Sequence, residues 1–331
     1  MVKKVSVVIV NWNGEKYIKK CIASLLNTQY ENYEILVIDN GSTDNSVKII
    51  KENFGKKVRV IVGENIGYAG GANKGILESN GEYVLIANPD IIFTEEYVKK
   101  LVDKLEEDSN NSAAIGKLLK YDFDNNKVLN FIDSAGIRLN HNRQGCDIGQ
   151  NDEDKGQYEE TRRVFGVCGA AALFKREALD NIRYENEFFD NDFFAYKEDI
   201  DLCWRLNLYG YKCFYVHNAI AYHGRGMNSS KGIINTIKNR RNQSEFLKGI
   251  SFRNHYLMLT KNEVLDTYKK DKIGISLDYL KYVVFFVLFD FKCLKYINQI
   301  KELKPKMVRK RNEIMRNVKI DNEEIYKLFD L

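Results

Sequence analysis

Three short stretches place amides, carboxylates and an imidazole where they could meet a ligand. In Gly81-Glu-Tyr-Val-Leu-Ile-Ala-Asn-Pro-Asp90, the apolar run Tyr83–Ala87 reads as a strand buried on both faces. It ends abruptly in Asn88 and Asp90, with the rigid Pro89 between them. Two such side chains suit a polar ligand, although the same residues also read as a plain Asn-Pro turn. In Tyr196-Lys-Glu-Asp-Ile-Asp-Leu-Cys-Trp-Arg-Leu206, Glu198, Asp199 and Asp201 crowd the first turn of a helical pattern whose Ile200, Cys203, Trp204 and Leu208 share one face. Carboxylates there complement the helix dipole, so a structural role stands for at least two of them. His223, in Ala221-Tyr-His-Gly-Arg-Gly-Met, reads as part of a glycine-flanked loop after a strand at Cys213–Val216. A lone histidine is more often structural, but Arg225 beside it supplies a charge that could contact phosphate or simply be solvated.

The elements that must position these groups follow a repeating pattern. Val5–Val10 is almost wholly apolar, stops at the polar turn Asn11-Trp12-Asn13-Gly14 and gives way to a helical pattern through Leu26. Glu34–Ile38 repeats the theme and opens into Asp39-Asn-Gly-Ser-Thr-Asp-Asn-Ser46, while Val58–Val62 is a third strand and Asn73–Glu78 a short helix. Alternating β and α elements imply a mostly parallel sheet whose ligands sit outside the carboxyl ends of the strands. The polar clusters at 11–14, 39–46 and 88–90 should then converge on one edge. Between them, Glu64–Gly75 is rich in glycine, which permits close backbone approach or merely turns the chain. Its spacing is not GxGxxG, and no GxxxxGK[ST] occurs, which argues against the usual dinucleotide enzymes and P-loop ATPases. Thr94–Glu107 reads as an amphipathic helix, Asn110–Gln157 as antiparallel hairpins or a long variable loop, and Val164–Phe174 as a strand.

At 331 residues, 44% hydrophobic and 29% charged, the chain can bury a sizeable core, and one large domain with an appendage is the natural organisation. Six cysteines without a CxxC pair read as reduced, buried thiols of a cytosolic protein, and the N-terminus does not read as a signal peptide. The charge is uneven. Residues 1–230 carry 29 Lys and Arg against 34 Asp and Glu, whereas 231–331 carry 22 against 12. A basic tail on an acidic body points to an anionic surface, or to a solvated helical tail. Within the tail, Tyr279–Phe289 is the most apolar run, yet it falls short of the ~20 residues that span a bilayer. Flanked by Lys281, Lys292, Lys295 and the cluster Lys304, Lys306, Arg309, Lys310 and Arg311, the region 279–311 could lie in a membrane interface as a peripheral contact, or serve as a core or dimer helix.

Taken together, Val5-Ser-Val-Val-Ile-Val-Asn-Trp-Asn-Gly14, Leu36-Val-Ile-Asp-Asn-Gly-Ser-Thr-Asp44, Asn65-Ile-Gly-Tyr-Ala-Gly-Gly-Ala-Asn73, Ala87-Asn-Pro-Asp90 and Glu198-Asp-Ile-Asp-Leu-Cys-Trp-Arg-Leu206 resemble family 2 glycosyltransferases, with the nearest likeness to the rhamnosyltransferase-like branch. The resemblance covers roughly residues 5–225 and extends weakly to Arg253–Asn262. It implies an α/β chain of GT-A fold: a catalytic domain at 1–230, with a nucleotide-sugar half to about 110 and an acceptor half beyond it, followed by a basic helical region at 231–331. It also implies transfer from a nucleotide sugar with inversion at the anomeric carbon.

By the same resemblance Asp39 contacts the nucleobase, Asn11, Asn13, Gly67 and Asn73 surround base and ribose, and Asn88 meets the ribose. Asp90 is the metal ligand, His223 joins the metal or diphosphate, and Arg225 contacts phosphate. Asn88 stands where an acid is usual, so the metal, Mg²⁺ or Mn²⁺, should be held weakly until the nucleotide arrives. The acceptor hydroxyl must lose a proton as it attacks, which calls for one positioned carboxylate. The resemblance gives that role to Asp199 and leaves Glu198 and Asp201 as helix-start or acceptor-positioning groups, while spacing alone keeps Asp201 open as the base. Trp12, Tyr68 and Trp204 could stack on base or sugar, with core packing equally open for Trp204. The branch likeness favours dTDP-rhamnose, ahead of UDP-hexoses and GDP-mannose, and the acceptor would be a glycan, a polysaccharide or a lipid-linked sugar. Two alternatives remain: a sugar-phosphate nucleotidyltransferase, for which Val8–Gly14 lacks the expected glycine cluster, and a nucleic-acid-binding protein using the basic tail, which the acidic body disfavours.

Overall fold

The computed structural model describes residues 2–224 and 244–331. Its first half is built from the βα units that the apolar runs predict. Strands β1 (Val5–Asn11), β2 (Tyr33–Asn40), β3 (Arg59–Gly63) and β4 (Tyr83–Ala87) alternate with helices α1 (Ile18–Leu26), α2 (Ser46–Phe54) and α3 (Gly67–Leu77). These strands lie parallel in the order β3-β2-β1-β4, with Asn11 opposite Asp39 and Ile9 opposite Ala87. Every residue of β1 and β4 is buried, as strands covered on both faces should be. Their carboxyl ends share one edge.

Helix α3 departs from the sequence reading. It begins at Gly67, six residues before the expected start, so most of the glycine-rich segment is helix rather than ligand loop. A Cβ at Gly75 would stand 2.1 Å from Val8 Cγ1, which shows what the missing side chains are for: they let α3 lie flush on β1.

The sheet continues through elements that the sequence resolved poorly. After β5 (Ile91–Phe93) and α4 (Tyr97–Glu106) come β6 (Asn111–Asp122), β7 (Lys127–Ser134), β8 (Ile137–Leu139), β9 (Gly145–Asp147), β10 (Arg162–Val164) and β11 (Ala171–Lys175). Helices α5 (Arg176–Ile182) and α6 (Glu198–Leu208) then lead to β12 (Lys212–His223). Strand β11 runs antiparallel to β4 and carries the sheet on to β6, β12 and β10, while β8 and β9 form a separate hairpin. The expected single strand at Val164–Phe174 is thus two strands joined by an irregular crossing. The strand expected at Cys213–Val216 is also longer, running through a register shift after Val216 to His223, which pairs with Ile91 of β5. That pairing delivers His223 to the neighbourhood of Asp90.

The C-terminal helices α7 (Glu245–Asn262), α8 (Leu265–Phe289), α9 (Lys295–Arg316) and α10 (Asn322–Lys327) are packed into the body. Leu257, Met258, Met307, Ile314 and Phe329 belong to the same apolar core as the sheet, and Trp204 meets Phe165 and Phe329 edge to face at 6.1 and 5.9 Å. Trp204 is fully buried there, which corrects its assignment to the acceptor side. Buried ions reinforce the joint. Lys310 Nζ lies 2.6 Å from Glu187 and 2.7 Å from Asp190, Lys261 pairs with Asp190, and Arg143 joins Glu263 at 2.7 Å and Asp271 at 2.7 Å. Such pairs are neutral at best as a source of stability, yet losing one partner costs roughly 3–5 kcal/mol because the other charge is stranded. Five of the six thiols are buried as expected; Cys146 is exposed. Among the described residues no helix is long and apolar enough to cross a membrane.

Candidate active site

A cleft of about 680 Å³ opens along the carboxyl edge of β1, β2 and β4. One wall carries Trp12, Asn40, Asn65, Gly67, Tyr68, Asn88 and Pro89; the other carries Cys168–Ala170, the segment Phe194–Ile200, and Ile137, Gly145, Cys146 and Asp147 of the β8–β9 hairpin. Phe246, Leu247 and Ser251 of α7 close one end. Gly67, Asn88, Glu198 and Asp199 are thus brought together: Asn88, Glu198 and Asp199 from the strand and helix ends where the sequence put them, Gly67 from the start of α3 rather than from a loop.

Other predicted residues serve the walls. Asn11 is fully buried and donates from Nδ2 to Asp39 Oδ1 at 2.9 Å, Ser42 Oγ at 3.1 Å and Ser46 Oγ at 2.9 Å. Asp39, 1% exposed, also accepts from the Ser42 N–H at 3.2 Å, so both residues brace the 39–46 loop. Asn40, the next residue on β2, lies against the cleft but is 4% exposed and spends its amide on the start of α3, donating to the Gly67 carbonyl at 3.0 Å and accepting from the Ile66 N–H at 3.1 Å. Asn13 has φ 52° and receives the Thr43 N–H at 2.8 Å, pinning the same loop from outside. Asn73 is spent on the chain at 188–191: its Oδ1 accepts from Phe188 and Phe189 and its Nδ2 donates to the Phe189 carbonyl. Arg225 lies outside the described residues.

The three acids of α6 have different surroundings. Asp199 Oδ2 accepts from the Gly169 N–H at 3.3 Å and Oδ1 from the Ile200 N–H at 2.8 Å, and the residue borders the cleft. Glu198 also borders the cleft but is 92% buried, and its Oε2 has no hydrogen-bond partner among the described residues. Burial, followed by the charge of Asp199, pushes its carboxyl up to about 8, so it is largely protonated at neutral pH. Asp201, two residues beyond Asp199 in the same first turn, is fully buried where α7 packs, and is bound by Lys261 Nζ at 2.9 Å, Asn262 Nδ2 at 2.8 Å and Arg205 Nε at 3.2 Å. That removes Asp201 from contention as a base or acceptor contact. Phe194, Tyr196 and Lys197, with φ of 64°, 70° and 72°, run directly into this helix. Each such conformation costs on the order of 1–3 kcal/mol, a strain typical of segments held in place for a site.

Asp90 and His223 form a second focus beside Asn88. His223 is 2% exposed; its Nδ1 lies 2.7 Å from Asp133 Oδ2 and its Nε2 3.4 Å from Asp90 Oδ1. Burial opposes its charge, but the hydrogen bonds and charges of Asp133 and Asp90 prevail and raise the imidazole to about 9. With one ring nitrogen held by a buried carboxylate and the other turned toward a partly exposed one, the arrangement has the form of a metal-ligating histidine with its supporting acid. The donor set of one nitrogen and one carboxylate fits Mg²⁺ or Mn²⁺ completed by phosphate and water oxygens. By contrast, Glu187, Asp190 and Asp192 bring carboxylate oxygens within 4.8 Å of one another, but Lys310, Lys306 and Lys261 already supply the cations there.

Sequence reasoning missed Asp133 and Asn65, and although it allowed antiparallel hairpins within Asn110–Gln157 it did not bring β8 and β9 to the cleft. Asp133 did leave a signal, an acid directly after the apolar pair Phe131-Ile132, where burial of a carboxylate calls for a partner.

Residues 6–183 match the family model described as glycosyl transferase family 2. The chain is 36% identical to glycosyltransferase GlyG of Streptococcus pneumoniae serotype 4 over 128 residues, 37% of this chain and 41% of that protein. It spans less than half the length of several curated relatives that it matches. Among solved structures, it is similar to GalNAc-T7 with UDP, GalNAc and Mn²⁺, at a TM-score of 0.60 and 15% identity over 78% of this chain and 48% of that one. It is also similar to a mannosyltransferase from Pyrobaculum calidifontis in complex with GDP-Man and Mn²⁺, at a TM-score of 0.53 and 13% identity over 96% of this chain and 86% of that one. These likenesses bear out the GT-A fold.

Proposed function

The chain belongs to glycosyl transferase family 2, and from that premise we propose that it transfers a sugar from a nucleoside-diphosphate donor to a hydroxyl of a glycan or lipid-linked acceptor, with inversion. The observation that carries this reading is the sorting of three carboxylates on one helical turn. Asp199 borders the cleft with both oxygens held by backbone N–H groups, Glu198 borders it in neutral form, and Asp201 is tied into the core.

The half at residues 1–110 holds the donor. Trp12 and Tyr68 flank the base and ribose, Asn65 supplies an amide, and Asn88 meets the ribose hydroxyls. Asp90 and His223, 3.4 Å apart, would hold a divalent metal, which when bound would supply neutralising charge to a diphosphate leaving group. The half at 111–230 presents the acceptor between the β8–β9 hairpin and α6. There Asp199 removes the proton of the attacking hydroxyl, and Glu198, protonated, donates a hydrogen bond that orients the acceptor. Burial raises the Tyr68 hydroxyl well above its usual value, and the charges of Glu198, Asp199 and Asp90 all add to that rise, so these groups act across one small space.

A panel of nucleotide sugars with Mn²⁺ or Mg²⁺ tests the reading. Turnover or donor hydrolysis is expected with dTDP-rhamnose first, then UDP-hexoses and GDP-mannose, and is expected to be lost with EDTA or with Asp199→Asn. A panel in which no donor is bound or turned over would sink the proposal; insensitivity to EDTA would remove the role given to Asp90.

A further inference from the structure

Helix α8 is apolar on both sides, and only one side is covered. Its inner face is held by Ile275, Tyr282 and Phe286, the last meeting Phe252 of α7 edge to face at 5.0 Å. On the opposite side Ile273, Leu277, Leu280, Val284, Val287 and Leu288 are 71, 51, 55, 45, 57 and 65% exposed. At 100° per residue these six fall on one stripe about 100° wide and roughly 22 Å long. Phe291, 75% exposed, extends it. A helix apolar all round is ordinarily covered all round.

We infer that the outer face of α8 lies along an anionic lipid surface, with its stripe in the acyl boundary and its lysines among the headgroups. Three observations select this occupant. Lys269, Lys270 and Lys281 rim the stripe, and Lys272 and Lys292 stand close to its ends, all exposed; apolar residues bordered by lysines are what an interfacial helix presents. Asp266 and Asp278 are already paired at 3.0 Å with Lys269 and Lys281 of the same helix, so a two-fold pairing of the stripe would bring together Lys270, Lys272 and Lys292 of two copies, which have no ion-pair partner among the described residues, without free counter-charges. The stripe is also a single ridge one helix wide, whereas a standard protein interface takes ~800 Å² from each partner. Beside it, a groove of about 550 Å³ between α7, α8 and α9 is walled by Leu259, Leu265, Tyr268 and Ile275 with Lys304 among its lining residues, a form that suits one lipid chain and its anionic head.

Vesicle flotation of the full chain tests this. Binding to phosphatidylcholine vesicles containing a third phosphatidylglycerol is expected to exceed binding to pure phosphatidylcholine at least tenfold, and to fall severalfold in 0.5 M salt. Leu280→Glu with Val284→Glu should abolish it, and Lys269→Glu with Lys270→Glu should remove the preference for the anionic lipid. Unchanged circular dichroism and melting temperature would show that these exposed substitutions leave the fold intact. Failure of the wild-type chain to float, equal binding to both vesicle types, or undiminished binding of the Leu280→Glu/Val284→Glu variant would overturn the inference. So would sedimentation showing a dimer that the same variant converts to monomer, because a second copy would then cover the stripe. None of these readouts depends on sugar transfer.

Discussion

Lys261 Nζ lies 2.9 Å from Asp201 Oδ2, and this contact divides the labour between two carboxylates of one helical turn. Asp201 holds α7 to α6, whereas Asp199, two residues earlier, faces the cleft. Asp199→Asn should therefore lower kcat by about 10²–10⁴ with little change in melting temperature. Asp201→Ala should instead cost roughly 1–3 kcal/mol in urea unfolding, because it removes the buried acceptor shared by Lys261, Asn262 and Arg205, while Lys261 keeps Asp190. Comparable loss of kcat without destabilisation in both variants would contradict this division.

His223 is supported from behind by Asp133, so the metal site should be sensitive at a residue that never touches the ion. Asp133→Asn is expected to raise the Mn²⁺ concentration for half-maximal activity about 10–100-fold while leaving donor KM at saturating metal nearly unchanged. Because Asn88 stands in the position of a usual acid, metal affinity in calorimetry should rise when a nucleoside diphosphate is added. Equal affinity in both titrations would refute that dependence.

Two buried groups bracket the pH range of stability. His255 is 4% exposed; burial, aided by the charge of Lys197, depresses it to about 3. Between the ordinary histidine value of 6.5 and about 3, the unfolded chain takes up a proton that the native chain refuses, so stability falls as the solution is acidified. Glu198 works at the other end. Its folded value is raised to about 8, so stability present below 4.5 is lost as pH rises through 8. Melting curves from pH 4 to 9 should flatten on the acid limb in His255→Gln and on the alkaline limb in Glu198→Gln.

Trp12 is 58% exposed at the cleft, too open for a core residue and well placed for a flat ring. Stacking on a base is worth about 1–3 kcal/mol. Trp12→Ala should raise donor KM on the order of tenfold or more with kcat within a few-fold of wild type, measured under saturating acceptor.

How much of this was legible depended on whether the information was local. The apolar runs of β1, β2 and β4 and the polar residues at their ends could be read directly, because a buried parallel strand writes itself as a continuous run. The glycines before Asn73 misled, since a glycine that admits a neighbouring strand looks the same in sequence as one that admits a ligand. Asp39, Asn73 and Trp204 were found as unusual residues, but their hydrogen bonds and ring contacts come from segments far along the chain. The service of Asp133 to His223 was invisible for the same reason, with 90 residues separating the pair.

Lys261 and Lys310 come from the last third of the chain, yet they end on Asp190, a carboxylate of the sugar-handling body, which they hold well below the usual range despite its burial. The C-terminal helices are therefore not a cassette. A chimaera carrying another family member's tail would need matching cations at both positions, or Asp190 would be left as a buried carboxylate without its counter-charges.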